Sequence, residues 1–280
     1  MVLFKEAATL SRYIQLQKQN GKKTGFVPTM GALHQGHLSL IKAAMKTNDL
    51  TVCSIFVNPT QFNNPEDFKY YPVTIEKDVE ALAGSGCDIL FLPSVGEIYP
   101  PGYVAKQYDL GPIEQVLEGA YRPGHFQGVC QVVDRLLEIV QPDELFLGQK
   151  DFQQCMVIKK LLTLIDKEDE IKLSIAPTLR EKNGLAMSSR NTRLDEKQKQ
   201  TATLLFKELS GIRLNLEKKD LEVLKKEARK HLEENGFTVD YVEIAHVEDL
   251  RTATANHGKL VALVAASLGP VRLIDNLLLN

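Results

Sequence analysis

The sequence predicts an α/β fold, doubly wound around a mostly parallel sheet, with a smaller C-terminal α+β domain. Three observations predict it. Fully apolar strand-like runs alternate with helical patterns as far as residue 176, the character changes after Asn191, and chemistry-bearing loops follow strand ends. Strands covered on both faces read as continuous apolar runs, which is the mark of a parallel sheet between helices.

Residues 24–27 read as the end of a short buried strand, and residues 38–45 repeat apolar side chains at helical spacing. Residues 50–57 form a second strand and 88–92 a third, with a helical pattern over 75–83 that ends towards Gly84. Residues 129–140 read as an amphipathic helix, 144–148 as a strand, 153–165 as a helix and 172–176 as a strand. Pro28, Asn58, Pro93 and Gly148 follow strand ends, so their loops share one rim, where such sheets bind ligands. Beyond Asn191, residues 195–216 and 221–235 are charged amphipathic helices, the second stopped by Gly236. Strand patterns over 239–244, 259–266 and 271–275 complete the smaller domain, and the boundary is placed near Pro177.

Composition excludes several classes. The 280 residues are 44% hydrophobic and 25% charged, the balance of an ordinary globular chain. A net charge of −2 gives no nucleic-acid footprint. No apolar run reaches the roughly 20 residues that span a bilayer. The first residues, Met1-Val2-Leu3-Phe4-Lys5-Glu6, lack a signal-peptide pattern. Cys53, Cys87, Cys130 and Cys155 are scattered without a C-x-x-C pair, so neither a zinc site nor a disulfide framework is expected. A reduced cytoplasm is the expected setting.

The densest chemistry lies in Pro28-Thr29-Met30-Gly31-Ala32-Leu33-His34-Gln35-Gly36-His37. It sits on a strand-to-helix turn, where backbone N–H groups and the helix dipole favour an anion. Gly31 and Gly36 let backbone approach a ligand, and His34 and His37, three apart, share a helix face. Imidazoles there can donate to phosphoryl oxygens, although a lone His-x-x-His pair also reads as a metal-ligand pair or a surface accident. Gln61 offers a donor and an acceptor to a hydroxy acid, or merely holds its own turn. Lys150 can meet phosphates as a point charge, and Asp151 either caps a helix or accepts from ribose. Gln154 lies one helical turn beyond Lys150. After Met187, the two hydroxyls and guanidinium of Ser188-Ser189-Arg190 make a compact donor cluster for a polyphosphate, or the serines a helix cap. Residues 118–126 carry Arg122 and His125 in a Gly/Pro-punctuated segment that reads as a substrate-facing flap or an Ω-loop.

His34-Gln35-Gly36-His37 in this context resembles the HxGH signature of the class I nucleotidylyltransferase superfamily. The motifs at 28–37, 58–61, 122–126, 148–154 and 184–191 together resemble, in order, the pantoate–β-alanine ligase (pantothenate synthetase) family. That resemblance implies a Rossmann-like nucleotide-binding catalytic domain over 1–177 and a 178–280 domain carrying a phosphate-closing loop. It implies ATP-dependent condensation of pantoate with β-alanine through a pantoyl adenylate, with release of AMP and pyrophosphate.

His34, His37, Lys150, Ser188, Ser189 and Arg190 would stabilise the phosphates. Pro28, Met30, Gly31, Ala32, Leu33, Gln35, Gly36, Gly148, Gln149, Asp151, Leu179 and Met187 would line the ATP site. Gln61, Gln154, Met30 and Arg122 would hold pantoate and β-alanine. Mg²⁺ would accompany ATP, with Asp78 as a candidate ligand beside its reading as a helix-surface residue. A homodimer is implied by the family alone. Two departures from the family pattern are Gln149, where an acidic residue is usual, and Asn183, where Asp is common. A nucleotidylyltransferase acting on a phosphorylated acceptor is the alternative enzyme; a nucleotide-binding regulator is the alternative from another class.

Overall fold

The computed structural model describes residues 1–63 and 65–280, the side chains of Pro65 and Asp67 excepted. In chain order the elements are β1 (Val2–Phe4), α1 (Ala7–Gln19), β2 (Thr24–Thr29), α2 (Gln35–Thr47), β3 (Leu50–Ile55), α3 (Pro65–Lys69) and α4 (Ile75–Ser85). Then follow β4 (Ile89–Phe91), α5 (Val95–Ile98), α6 (Glu118–Tyr121), α7 (His125–Val140), β5 (Glu144–Gly148), α8 (Phe152–Leu164) and β6 (Lys172–Ala176). The remainder is α9 (Glu196–Ala202), α10 (Leu204–Asn215), α11 (Leu221–Glu234), β7 (Phe237–His246), β8 (Leu260–Leu268) and β9 (Val271–Leu278).

The chain divides into two compact units. The first holds residues 1–110, 122–148 and 157–177; the second holds 111–121, 149–156 and 178–280. The short segments 111–121 and 149–156, which the sequence leaves in the catalytic domain, thus group with the C-terminal residues.

In the first unit six strands form one sheet in the order β1-β4-β3-β2-β5-β6, every pair parallel. From β2 the chain winds outward through β3 and β4, then returns to add β5 and β6 on the other side. The winding therefore reverses between β2 and β5, the topological switch point where ligands bind in open sheets. Pairing there covers only Gly25 with Glu144 and Phe26 with Leu145. Pro28, two residues on, has no N–H to offer a ladder, so the strands part at their carboxyl ends.

Val27, Cys53, Leu90 and Phe146 form a core with Leu40, Ile41 and Ala44 of α2 and Leu82 of α4. Their strand neighbours Phe26, Val52, Ile89 and Leu145 alternate to the opposite face and are equally buried. Two-sided burial explains the unbroken apolar runs.

The second unit packs α10 and α11 on an antiparallel β7-β8-β9 sheet. Leu205, Leu209, Ile212, Leu224 and Leu232 pack with Ile244, Ala262, Val264 and Val271 in one core.

Several boundaries differ from expectation. β1 and α1 carry no strong sequence signal; β1 is an edge strand of three residues whose place is set by pairing with β4. The helix expected over 195–216 is broken at Thr203, whose N–H bonds back to Gln200 and whose hydroxyl bonds to the same carbonyl at 2.7 Å. Helix α7 starts at His125 rather than at residue 129, because Gly124 takes a left-handed conformation (φ 77°) and turns the chain into it. The segment read as a flap is thus two helical pieces, α6 and the first turn of α7.

Candidate active site

The turn after β2 is closed on itself. Gly31 adopts φ 83° and Ala32 φ 49°, a pair of left-handed residues that reverses the chain. The Ala32 and Leu33 amides then donate to the Asp78 carboxylate at 2.9 and 2.8 Å, and the Thr74 hydroxyl donates to it at 3.1 Å. The Gly31 amide donates to the Thr29 hydroxyl at 3.2 Å. These amides are consumed within the protein, so they do not form the open phosphate cradle expected of the turn. Asp78 is 1% exposed, which overturns its reading as a helix-surface residue. With both oxygens accepting from the chain, it is an anchor for the turn. Among the described residues no group of three or more His, Cys, Asp or Glu could hold a metal ion. The donor set does not fit a protein-built metal cage.

What the turn does present is its two imidazoles. His34 is the N-cap of α2, its Nδ1 accepting from the Gly36 amide at 3.1 Å. His37 Nδ1 accepts from the His34 amide at 3.3 Å, completing a reciprocal capping box. A ring nitrogen that accepts a backbone N–H carries no proton, so the neutral tautomer of each ring bears its hydrogen on Nε2. The rings lie 4.1 Å apart between centroids and tilt by 35°. The sequence thus builds a pair of oriented Nε2–H donors at the helix N-terminus.

Beside it lies the turn of residues 58–61. Asn58, 1% exposed, donates from Nδ2 to Gln61 Oε1 at 3.2 Å and to Gly128 O at 3.1 Å. Its Oδ1 accepts from the Tyr99 phenol at 2.9 Å, and burial pushes that phenol above its usual pKa, keeping it a donor. Gln61 Nε2 contacts Met30 Sδ at 2.9 Å, so two residues expected at the substrate site adjoin. Below them, His125 Nδ1 lies 2.7 Å from Gln61 O, and Arg122 Nη1 lies 3.0 Å from His125 Nε2. Arginine can only donate, so His125 Nε2 accepts and Nδ1–H donates to the Gln61 carbonyl. Gly128 allows α7 this close: a Cβ there would stand 2.4 Å from Thr60 O.

The second unit carries the other half of the expected residues. Lys150 and Asp151 form a single 3₁₀ turn with Gln149, and their charged atoms are 3.9 Å apart. Gln154 is half-buried in the first turn of α8, whereas Gln153 is buried and bonded to Ile113 O and Val116 O at 2.8 and 2.9 Å. Ser188 caps the turn Ser189–Arg193, accepting from the Arg190 amide at 3.3 Å. Ser188, Ser189, Arg190 and Met187 are half-buried, and Leu179 is 40% exposed. Arg180 anchors this loop. It forms a bidentate pair with Asp275 at 2.6 and 2.9 Å, donates to Gly184 O at 3.2 Å and lies 3.8 Å over the Phe206 ring.

Arg180 is a position that sequence reasoning missed, and Asp78 and His125 were named there without the partners that hold them. Each works through a partner distant in the chain, so no local spacing could mark it.

A six-stranded parallel sheet with a histidine-capped helix at its switch point defines a nucleotide-binding α/β protein of the HxGH kind. The comparisons with known proteins narrow this to one family. The family model described as Pantoate-beta-alanine ligase matches residues 2–278, and the chain belongs to that family. It is 44% identical over 280 residues to the pantothenate synthetase of Alteromonas mediterranea, covering 99% of each chain. It is 46% identical over 266 residues to that of Pseudomonas fluorescens, covering 94% of this chain and 92% of the relative. Among solved structures, pantothenate synthetase from Thermus thermophilus matches with a TM-score of 0.92 at 36% identity, covering 99% of both chains. The pantoate-beta-alanine ligase of Francisella tularensis, complexed with β-γ ATP and β-alanine, matches at 0.83 and 37%, covering 99% of this chain and 97% of that one.

Proposed function

We propose that the chain condenses pantoate with β-alanine at the expense of ATP, releasing pantothenate, AMP and pyrophosphate through a pantoyl adenylate. The observation that carries the reading is the reciprocal His34–His37 cap, which fixes two Nε2–H donors at the switch point of the sheet.

A carboxylate resists attack by an amine, so the acid is activated first. The pantoate carboxylate attacks the α-phosphorus in line, an oxygen–phosphorus bond forms, and the bond to pyrophosphate breaks. Negative charge grows on the α-phosphoryl oxygens and on the departing pyrophosphate. His34 and His37 are assigned to that charge as preorganised donors, which cost no reorganisation when the charge develops. Lys150, Ser188, Ser189 and Arg190 are assigned to the pyrophosphate, and Asp151 to the ribose. Gly148, Gln149, Leu179 and Met187 are assigned to the nucleotide's surroundings.

In the second step the β-alanine amine attacks the acyl carbon. The amide bond forms, AMP leaves with the acyl oxygen, and the amine gives up its proton. Gln61 and Gln154 are assigned to pantoate. For Gln61 this is supported by His125 holding its backbone carbonyl and by Asn58 and Met30 meeting its side-chain amide, because a side chain held at both ends presents a substrate with one orientation. Arg122 reaches this region through His125. Mg²⁺ is assigned to the ATP phosphates rather than to a protein cage, and no step is derived through it. A cytoplasmic homodimer belongs to the same reading through family resemblance, and sedimentation of the purified chain tests the dimer.

The test is ATP turnover by the purified chain with pantoate, with and without β-alanine, following pyrophosphate, AMP and pantothenate. AMP and pantothenate should appear together only when β-alanine is present, and a bound adenylate with pyrophosphate should form without it. Absence of pantoate-dependent pyrophosphate would overturn the reading.

A further inference from the structure

Asn276 on β9 is 2% exposed, and nothing in the reaction above uses it. Its side chain is nevertheless fully engaged with the turn that carries Lys150. Nδ2 donates to Gln149 O and to Lys150 O, both at 2.9 Å, and Oδ1 accepts from Gln149 Nε2 at 3.1 Å. One amide thus fixes two consecutive carbonyls and the side chain between β5 and α8. Asn276 is itself braced: its amide donates to Asp275 Oδ1 at 2.8 Å, and Arg180, paired with Asp275, donates to Asn276 O at 3.3 Å. Lysine is a flexible point charge with many rotamers, so where its ammonium stands depends on where its backbone is held.

We propose that Asn276 is a positioning residue for adenylation, setting the Lys150 turn so that the ammonium meets the phosphates of ATP. This rests on the assignment of Lys150 to those phosphates. The carbonyls of residues 149 and 150 need a double donor on this strand. Asparagine supplies one at a length that leaves no room for water between, whereas aspartate of the same shape presents two acceptors to two carbonyls and cannot.

The test compares Asn276→Asp and Asn276→Ala, each in the natural chain and in Lys150→Ala, by pantoate-dependent pyrophosphate release. A misplaced group costs up to about 100-fold, so kcat/KM for ATP should fall about 10- to 100-fold in Asn276→Asp, with pantoate KM changed less than about twofold. In Lys150→Ala the same substitution should cost less than about twofold more, because the lysine it acts through is gone. Circular dichroism and thermal unfolding verify that each variant folds, and the near-isosteric Asn276→Asp carries the test if Asn276→Ala does not fold. Unchanged ATP kinetics in Asn276→Asp, or an equal loss with and without Lys150, would overturn the proposal and leave the lysine assignment standing. Failure of both variants to fold would make Asn276 a core residue and overturn it likewise. A Lys150→Ala chain with intact ATP kinetics would overturn the lysine assignment and this proposal with it.

Discussion

At His34 and His37 a backbone amide decides which ring nitrogen carries the proton. Both Nδ1 atoms accept, so both Nε2 atoms donate; His125, held by Arg122, has the opposite tautomer. Three histidines of one unit thus divide into two kinds by their partners alone. The first kind ends in a donor suited to phosphate, the second in a clamp on the Gln61 backbone. His37→Ala removes one donor and one half of the capping box. It should lower pyrophosphate release about 10²–10³-fold while far-UV circular dichroism stays that of the natural chain, since the loss of a cap costs only about 0.5–2 kcal/mol. Near-normal turnover would remove His37 from the chemistry. Asp78 belongs to the same scale: a carboxylate far along the chain holds the turn in which these rings stand.

Among elements, the close contact of α7 with the 58–61 turn bears on the proposed assignment of Gln61 to pantoate. Gly128 makes it possible, and Asn58 reaches Gly128 O across it. In Gly128→Ala the added methyl must push the turn away. Overpacking of this kind costs about 1–3 kcal/mol, and here it also displaces Gln61. The expected outcome is a lowered thermal midpoint with pantoate KM raised more than ATP KM, measured by steady-state kinetics at saturating co-substrate. Equal changes in both constants would separate the turn from pantoate.

Strands β2 to β9 and helices α2, α4, α8 and α11 were legible because an apolar run or a periodic face marks each one, whereas β1 has neither. The Thr203 break and the Gly124 start of α7 were not, since each depends on one residue's backbone angles inside an otherwise helical pattern. The HxGH segment was legible as a strand-to-helix turn, yet its closed amides were not, because the carboxylate that takes them lies 45 and 46 residues further on.

Across the molecule, the amino ends of the strands are secured as firmly as the carboxyl rim is opened. Glu144, at the start of β5, accepts from Thr47 and Asn48 at 2.9 and 3.3 Å, pairs with Lys172 at 2.8 Å and accepts from Ser174. Burial alone would raise this carboxyl. The bonds from Lys172, Ser174, Thr47 and Asn48 outweigh it and hold the group below its usual range. A carboxyl lowered by folding adds stability that is fully present above its unfolded value of about 4.3 and is lost as pH falls through the folded one. Glu144→Gln should therefore cost about 1–3 kcal/mol at pH 7 and flatten the acid limb of the stability curve. Urea midpoints measured from pH 7 to pH 3 check this; parallel acid limbs in the two proteins would exclude Glu144 as a cause. That segments 111–121 and 149–156 group with the C-terminal residues was beyond the sequence, because they look like any other loops of the first domain until their partners are seen.

Those two segments also bear on the order in which the chain is made. A polypeptide emerging from the ribosome finishes its six-stranded sheet at Ala176, with Glu118 and Lys150 already displayed. The Arg272 guanidinium that grips Glu118 at 2.7 and 2.8 Å, and the amide that fixes residue 150 from 126 positions downstream, have yet to be translated. A nascent chain can thus complete its six-stranded sheet while the turn of residues 149–151 still lacks the bonds that β9 supplies, and the second unit is whole only once that strand has been made.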